Sequence, residues 1–191
     1  MHGIDRYLSD VAAALAATPR EPLCAIAQAL WETYQRGGTI IICGNGGSAA
    51  SASHFACDLA KWTICAGRRR VRAIALTDNV AVMSAWSNDT HYERVFVEQL
   101  MNLYRAGDTL VAISGSGNSP NVLHAVAWAN QQGAMTIGLT GFVGGRLATL
   151  ARLALVVPNH VMPQVEDVHM ALCHALAVSL GELIKCDAAA A

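Results

Sequence analysis

Residues 39–48 read TIIICGNGGS, and this stretch gives the clearest indication of the fold. The first five residues form a short, continuous apolar run, which is typical of a strand buried on both faces of a parallel sheet. The glycine turn at residues 44–48 leads into a predicted helix at residues 49–61. Glycine lets the backbone approach a ligand closely, and the free N–H groups at a helix start suit a phosphate or carboxylate. The stretch therefore predicts a strand, a turn and a helix, with either an anion site or a tight turn that binds nothing.

The alternation of strands and helices continues on both sides of this stretch. Two helices are predicted before this stretch, at residues 4–17 and 22–36. After residue 61, predicted strands alternate with predicted helices. The strands lie at residues 71–76, 109–113, 135–139 and 153–157, and the helices at 80–86, 93–104, 119–131, 146–150 and 164–183. Such alternation implies right-handed crossovers and a parallel sheet covered on both faces. The sequence predicts an α/β fold with a three-layer, doubly wound, five-stranded parallel sheet of the flavodoxin-like kind. One domain over residues 1–191 is expected, with N-terminal helices at 1–37, a sheet core at 38–158 and a C-terminal helix at 163–185.

Composition narrows the class of protein. The 191 residues are 53% hydrophobic and 14% charged, which is too apolar for a disordered chain. The formal net charge of −1 gives no overall field for nucleic acid or an anionic membrane, and the basic run at residues 68–72 is interpreted as a solvated turn. No apolar stretch reaches the roughly 20 residues of a membrane helix, and residues 1–10 lack the apolar core of a secretory signal. Because the six cysteines form no CxxC pair, free thiols and a cytoplasmic protein are expected.

A second turn, SGSGNSP at residues 114–120, follows the predicted strand at residues 109–113. Ser119 suits the N-cap of the next helix, and Pro120 suits its first position. The hydroxyl and backbone N–H groups of this turn predict a phosphate cradle without a lysine. The turn lacks the GK[ST] ending of a Walker loop, and Pro120 stands where GxGxxG has its last glycine, so a dinucleotide site is not predicted. A capped turn that binds no ligand remains the alternative.

A histidine and a carboxylate follow the first turn. His54 and Asp58 are spaced i, i+4 on the predicted helix, which puts both side chains on one face directly behind the candidate phosphate loop. A functional pair and an ordinary hydrogen-bonded pair are both compatible with this spacing.

The last helix carries a second group of ionisable residues. Glu166 and His174 lie about 80° apart around the helix axis and about 12 Å apart along it, so binding one ligand together would require a bend or a frayed first turn. His169 lies about 140° from His174, and these two histidines are not expected to share a site. His169 and Asp167 are interpreted as packing or surface residues.

Together these residues resemble the phosphoheptose isomerase family, which is built on the sugar isomerase (SIS) fold. The matching stretches cover nearly the whole chain and are CGNGGSAASASHF from Cys43, ALTDN from Ala75, SND from Ser87, AGDTLVAISGSGNSPNV from Ala106, LTGFVGG from Leu139 and EDVHMALCH ending at His174. The resemblance implies a homotetramer with active sites at subunit interfaces. It also implies an isomerase that converts sedoheptulose 7-phosphate to D-glycero-D-manno-heptose 7-phosphate through an enediolate.

The resemblance implies roles for individual residues as well. Phosphate or substrate contacts are expected from two sets of positions, the serines Ser48, Ser114, Ser116 and Ser119 and the flanking residues Asn45, Gly46, Gly47, Asn88, Asp89 and Asn118. One zinc ion per subunit is expected on His54, Asp58, Glu166 and His174. Of these four, His174 is expected to act as the base on one carbon and Asp58 as its acid/base partner. The zinc would polarise the carbonyl and stabilise the enediolate.

The chain departs from the family pattern at two of these positions. Asp58 stands where the family usually has glutamate, and Glu166 stands where it usually has glutamine. A second carboxylate should hold a divalent metal more tightly, while the shorter Asp58 moves its oxygens by roughly an ångström. An arginine usual in the family is also replaced, by the pair Lys61–Trp62. An isomerase of a different sugar phosphate is therefore an alternative.

Two further alternatives lie outside catalysis. One is a non-catalytic SIS binding protein of the type that associates with the replication initiator, a branch in which the acid and the last-helix histidine are lost. The presence of Asp58 and His174 favours an enzyme instead. The other is a sugar-phosphate sensor in a transcription regulator, which would need a DNA-binding region larger than the roughly 35 residues before the first strand.

Overall fold

Five parallel strands form the sheet at the centre of the protein. The computed structural model describes residues 2–190. The strands are β1 (Thr39–Gly44), β2 (Arg72–Ala75), β3 (Thr109–Ser114), β4 (Met135–Thr140) and β5 (Leu153–Val156). They lie in the order β2-β1-β3-β4-β5, and every neighbouring pair is parallel. This sheet confirms the predicted five-stranded parallel α/β fold.

Helices cover both faces of the sheet. They are α1 (His2–Ala17), α2 (Arg20–Gln35), α3 (Gly47–Lys61), α4 (Val80–Asp89), α5 (Val95–Leu103), α6 (Pro120–Gln131), α7 (Leu147–Leu150) and α8 (Met162–Ala190). Side chains alternate along β1, so that Ile40 and Ile42 face one layer and Ile41 and Cys43 face the other. The first layer contains buried residues of α1, α2, α3 and α8, and the second contains those of α5, α6 and α7. The TIIIC run is continuously apolar because both of its faces are covered.

Most predicted elements agree with the observed ones to within three residues at their ends. The helix predicted at residues 49–61 begins at Gly47, directly after Gly46 takes a positive φ of 55°. The helix predicted at residues 93–104 is divided into a 3-10 turn at Tyr92–Arg94 and α5. The last helix extends to residues 162–190, beyond the predicted 164–183, and Ile184 is buried just past the predicted end.

Helix α8 is long and apolar enough, by length and composition, to meet the criterion for a membrane span, contrary to the sequence prediction. Half of its most apolar stretch of 18 residues is buried inside the protein. It packs against α3, α1 and α2 through residues such as Val165, Leu172 and Leu176. Its apolar composition is therefore that of a helix in the core of a parallel-sheet protein.

The buried thiols are expected to resist alkylation. Burial raises the pKa of Cys43 and of Cys173 to about 12, so very little of either is thiolate at pH 8. Cys24 and Cys186 are exposed, and all six cysteines are free. With iodoacetamide at pH 8, peptide mapping should find Cys43 and Cys173 unlabelled until the protein is unfolded in urea. Rapid native labelling of either buried thiol, at a rate similar to that of Cys24, would contradict this packing.

Candidate active site

The two predicted turns meet at the carboxyl ends of β1 and β3, which are neighbours in the sheet. Two asparagines join them, because the Nδ2 of Asn45 donates to Oδ1 of Asn121 at 2.8 Å and Asn121 returns the bond at 2.9 Å. The hydroxyl of Tyr92 also donates to Oδ1 of Asn45 at 2.9 Å. The sequence analysis missed Asn121, which lies one residue beyond the quoted turn and is buried.

A cavity of about 200 Å³ lies between these turns, and we call it the loop pocket. Its lining residues are Asn45, Gly46, Gly47, Ser48, Ile113, Ser114, Gly115, Ser116, Ser119, Met162 and Glu166. Helices α3 and α6 both begin at this pocket, which brings two positive helix ends to one place. Such an arrangement suits an anion, and phosphate above all.

Ser119 precedes α6 as predicted, but its hydroxyl makes no capping bond to the helix. Its Oγ lies instead 3.2 Å from Oγ of Ser114, which is almost fully buried. The hydroxyl is therefore turned toward the pocket, where it is available to a ligand.

A second group of predicted residues meets beside α3 and α8. The Nε2 atoms of His54 and His174 lie 3.0 Å apart, and each lies 3.5 Å from Oδ2 of Asp58. We call these three residues the trio. The rings of the two histidines form an edge-to-face pair with centroids 4.9 Å apart. Although 120 residues separate the histidines along the chain, the packing of α8 on α3 brings them together.

The trio has the donor set and spacing of a zinc site. Two imidazole nitrogens and one carboxylate oxygen are common protein ligands of a catalytic zinc, which keeps a fourth position open. Ligand atoms about 2.05 Å from a tetrahedral ion lie about 3.3 Å from one another. The observed separations of 3.0 and 3.5 Å are close to that value. The two histidine side chains are 49% and 50% exposed, so that a substrate could reach the site.

Glu166 lies in the loop pocket and is not among the residues whose ligand atoms meet in the trio. Its carboxylate packs so closely on Gly47 that a Cβ atom at position 47 would overlap it. Eight residues of helix separate Glu166 from His174, which corresponds to about 12 Å along the axis. The role of Glu166 as a fourth metal ligand stays a prediction.

Three other predicted contacts lie at the margin of the pocket or away from it. Asn88 and Asp89 are exposed in the last turn of α4, where the Nδ2 of Asn88 donates to Oδ1 of Asp89 at 3.0 Å. Neither lines the loop pocket. Asn118 is exposed, and its Nδ2 donates to the carbonyl oxygen of Ser116 at 3.0 Å. The contacts of all three with substrate stay predictions.

The packing roles expected for His169 and Asp167 are confirmed. His169 is fully buried, and its Nε2 lies 3.0 Å from the carbonyl oxygen of Thr140 at the end of β4. Burial lowers the pKa of His169, which favours the neutral ring. Asp167 is exposed and accepts a 2.6 Å hydrogen bond from the hydroxyl of Tyr7.

The fold and the site define a class of protein. Two Gly/Ser turns at neighbouring strand ends form a pocket whose lining suits an anion, and a histidine–carboxylate trio lies on two helices that also line that pocket. This is the arrangement of a sugar-phosphate-binding α/β domain, and the family model described as "SIS domain" matches residues 6–141.

Comparison with known proteins defines the family within that class. A phosphoheptose isomerase of Aliarcobacter butzleri is 42% identical over 159 residues, covering 83% of this chain and 84% of that protein. The lincomycin biosynthesis protein LmbN of Streptomyces lincolnensis is 40% identical over 186 residues, covering 92% of this chain and 68% of that protein. A solved phosphoheptose isomerase from Francisella tularensis superposes with a TM-score of 0.88 at 30% identity, covering 95% and 97% of the two chains. The chain belongs to the phosphoheptose isomerase family, and with it to the isomerase class of enzymes.

Proposed function

We propose that this protein interconverts sedoheptulose 7-phosphate and D-glycero-D-manno-heptose 7-phosphate by aldose–ketose isomerisation. The observation that carries the proposal is that the same two helices, α3 and α8, carry the trio and contribute to the lining of the loop pocket. An isomerase of this kind needs one site for the phosphate and another for proton transfer. The names of the relatives, most of them phosphoheptose isomerases, support the choice of substrate.

The loop pocket would hold the phosphate. The hydroxyls of Ser48, Ser114, Ser116 and Ser119 would donate to its oxygens, together with backbone N–H groups at the starts of α3 and α6. The side chain of Asn45 is held in place by Asn121 and Tyr92, so it would meet the substrate in a fixed orientation. We assign the same general role to Gly46, Gly47 and Asn118, and a role in substrate binding to Asn88 and Asp89.

The trio would carry out the proton transfers. His174 would remove the proton from the carbon next to the carbonyl group, and Asp58 would act as its acid/base partner while the oxygens exchange a proton. Return of the proton to the adjacent carbon then completes the isomerisation, so that no atom is gained or lost. The position of His174 supports this role, because its ring is half exposed to an arriving substrate and its Nε2 lies 3.5 Å from Oδ2 of Asp58.

We further propose one zinc ion per subunit, held by His54, Asp58 and His174 with Glu166 as a fourth ligand. When bound, zinc would polarise the substrate carbonyl and stabilise negative charge on the enediolate oxygens. The spacing of the trio supports three of these ligands. Movement of the start of α8 would be needed to bring in Glu166.

We also propose that residues 1–191 act as one domain in a cytoplasmic homotetramer, without a nucleic-acid or membrane partner. A groove of about 880 Å³ along edge strand β2 supports the assembly. Exposed apolar side chains border that groove, among them Ile74, Val80 and Leu103. A second copy of the chain would cover this surface.

The same chemistry could serve a different sugar phosphate. Asp58 and Glu166 depart from the family pattern, and the likeness to a lincomycin biosynthesis protein covers 92% of this chain. A panel of ketose phosphates would therefore be assayed beside sedoheptulose 7-phosphate. If only another ketose phosphate of the panel were turned over, the proposed isomerase activity would stand, and the proposed substrate would be replaced by that sugar phosphate.

Removal of metal is expected to abolish turnover. The purified protein would be dialysed against a chelator and assayed for conversion of sedoheptulose 7-phosphate, before and after Zn²⁺ is added back. We expect activity to be lost on chelation and restored at about one zinc per subunit, because the trio is otherwise left without its electrophile. Full activity in protein shown by metal analysis to be zinc-free would contradict the metal proposal. A folded, zinc-loaded protein that turns over no sugar phosphate would contradict the isomerase proposal.

A further inference from the structure

The loop pocket has a negative side chain but no positive one. Among the residues that line it, Glu166 alone is ionisable, and the others are serines, glycines, an asparagine and apolar residues. A phosphate monoester carries about −1.5 to −2 charges at pH 7. The starts of α3 and α6 contribute roughly +0.5 each. These helix ends leave the phosphate charge uncompensated, and the carboxylate adds repulsion.

Hydrogen bonds join the loop after β4 to the turn after β3. The backbone N–H of Leu147 donates to the carbonyl oxygen of Gly117 at 2.9 Å, and that of Arg146 donates to Oδ1 of Asn118 at 3.1 Å. Asn118 in turn bonds the carbonyl of Ser116, a residue that lines the loop pocket. The backbone of Arg146 is thus two hydrogen bonds away from a residue of the pocket wall.

The guanidinium group of Arg146 has no partner among the described residues. The residue is exposed, and its side chain has no ion pair or hydrogen bond with any residue between 2 and 190. Other arginines are bound to acids, as Arg94 is to Glu98 and Arg68 is to Asp187. An arginine fixed at its backbone and free at its tip can turn toward an arriving anion without first breaking an ion pair.

We propose that Arg146 is a further phosphate-binding residue, which supplies the positive charge that the loop pocket lacks. The inference rests on the proposed sugar-phosphate isomerase function. It assigns to Arg146 binding of the phosphate group and no part in proton transfer. Guanidinium suits this role because its planar fork bonds two phosphate oxygens at once, whereas lysine offers a single point charge. A guanidinium group at the phosphate would also offset the repulsion between the Glu166 carboxylate and the phosphate.

The test compares Arg146→Gln and Arg146→Lys with the matched control Arg152→Gln. Arg152 is an exposed arginine six residues further along the chain. It directly precedes β5, so it lies at the amino ends of the parallel strands, whereas the loop pocket lies at their carboxyl ends. Calorimetry would measure binding of inorganic phosphate and of sedoheptulose 7-phosphate, and steady-state assays would give KM and kcat. Thermal melting would show that each variant is folded.

Arg146→Gln is expected to raise the Kd for both ligands, and KM, by roughly 10- to 100-fold, which is the range for loss of a hydrogen bond to a charged group. Its kcat should stay within about threefold, because a residue that binds ground state and transition state alike changes KM alone. Arg146→Lys should fall between Arg146→Gln and the native protein, and Arg152→Gln should match the native protein.

Each failure has its own signature. A folded Arg146→Gln variant that binds both ligands within about twofold of the native protein would overturn the role of Arg146 and leave the isomerase untouched. A native protein that binds sugar phosphate in an Arg146-dependent way, yet turns over no sugar, would support the role of Arg146 and overturn the isomerase proposal. A native protein that binds neither ligand would overturn this inference.

Discussion

Replacement of His174 by alanine is expected to lower kcat/KM by about 10²- to 10⁴-fold, the range for loss of a general acid–base group. The imidazole of His174 meets both Asp58 and His54 in the trio, so its removal takes away the proposed base and one proposed metal ligand together. Conversion of sedoheptulose 7-phosphate by the purified variant would be followed by detection of the aldose product. Metal analysis of the same sample should show zinc below one per subunit.

The control for this variant is His124→Ala. His124 is an exposed histidine on α6, outside the trio, and its Nδ1 lies 3.2 Å from the carbonyl oxygen of Glu93. Its replacement should leave turnover near the native value. The half-exposed position of His174 means that its alanine variant should fold, which circular dichroism would verify. A folded His174→Ala protein with native turnover would remove His174 from the mechanism.

Replacement of Gly117 by alanine is expected to destabilise the fold by roughly 2–5 kcal/mol and to abolish measurable phosphate binding. Gly117 has a φ of +64°, where an L-residue costs about 1–2 kcal/mol. A Cβ atom there would also overlap the backbone carbonyl of Gly144, and overpacking adds about 1–3 kcal/mol. Because backbone atoms cannot swing aside as a side chain does, the turn after β3 would have to move away from the loop after β4. Urea denaturation would measure the loss of stability, and calorimetry the loss of phosphate binding.

Gly133 provides a matched control for this substitution. Its φ is +78°, but a Cβ atom at that position would meet no atom within 4 Å. Gly133→Ala should therefore show only the cost of the left-handed backbone, about 1–2 kcal/mol, with phosphate binding intact. If the two alanine substitutions lowered the free energy of unfolding equally, the close contact between Gly117 and Gly144 would contribute nothing to the cost of the Gly117 substitution.

The fold was predictable because its signals are local. The apolar run of β1, the glycines at its end and the helix that follows lie within about 25 residues, and each property depends on near neighbours in the chain. The alternation of such units then leaves few topologies open. Apart from the 3-10 turn that divides the helix predicted at residues 93–104, errors were confined to element ends, as at Gly47, where a positive φ at Gly46 precedes a helix that begins two residues earlier than predicted.

The candidate site was predictable only in part. The spacing of His54 and Asp58 follows from one helical turn, and the serines of the second turn are adjacent in the sequence. Two residues that the sequence analysis missed are tied to the turns by contacts between separate segments: Asn121 bonds Asn45, and the backbone N–H of Arg146, the residue proposed above to bind phosphate, bonds Asn118. Their neighbours in the sequence give no sign of those contacts.

Local patterns in the sequence are enough to predict the parallel sheet, the two turns at the carboxyl ends of its strands and the residue types available for chemistry. Which of those residues meet depends on how the helices pack. It places His174 against His54 and Asp58, and it places Glu166, on the same helix, against Gly47 in the loop pocket. The physical reason is that periodicity fixes which face of a helix a residue occupies, whereas the height at which α8 lies against α3 is set by the packing of the whole core between them.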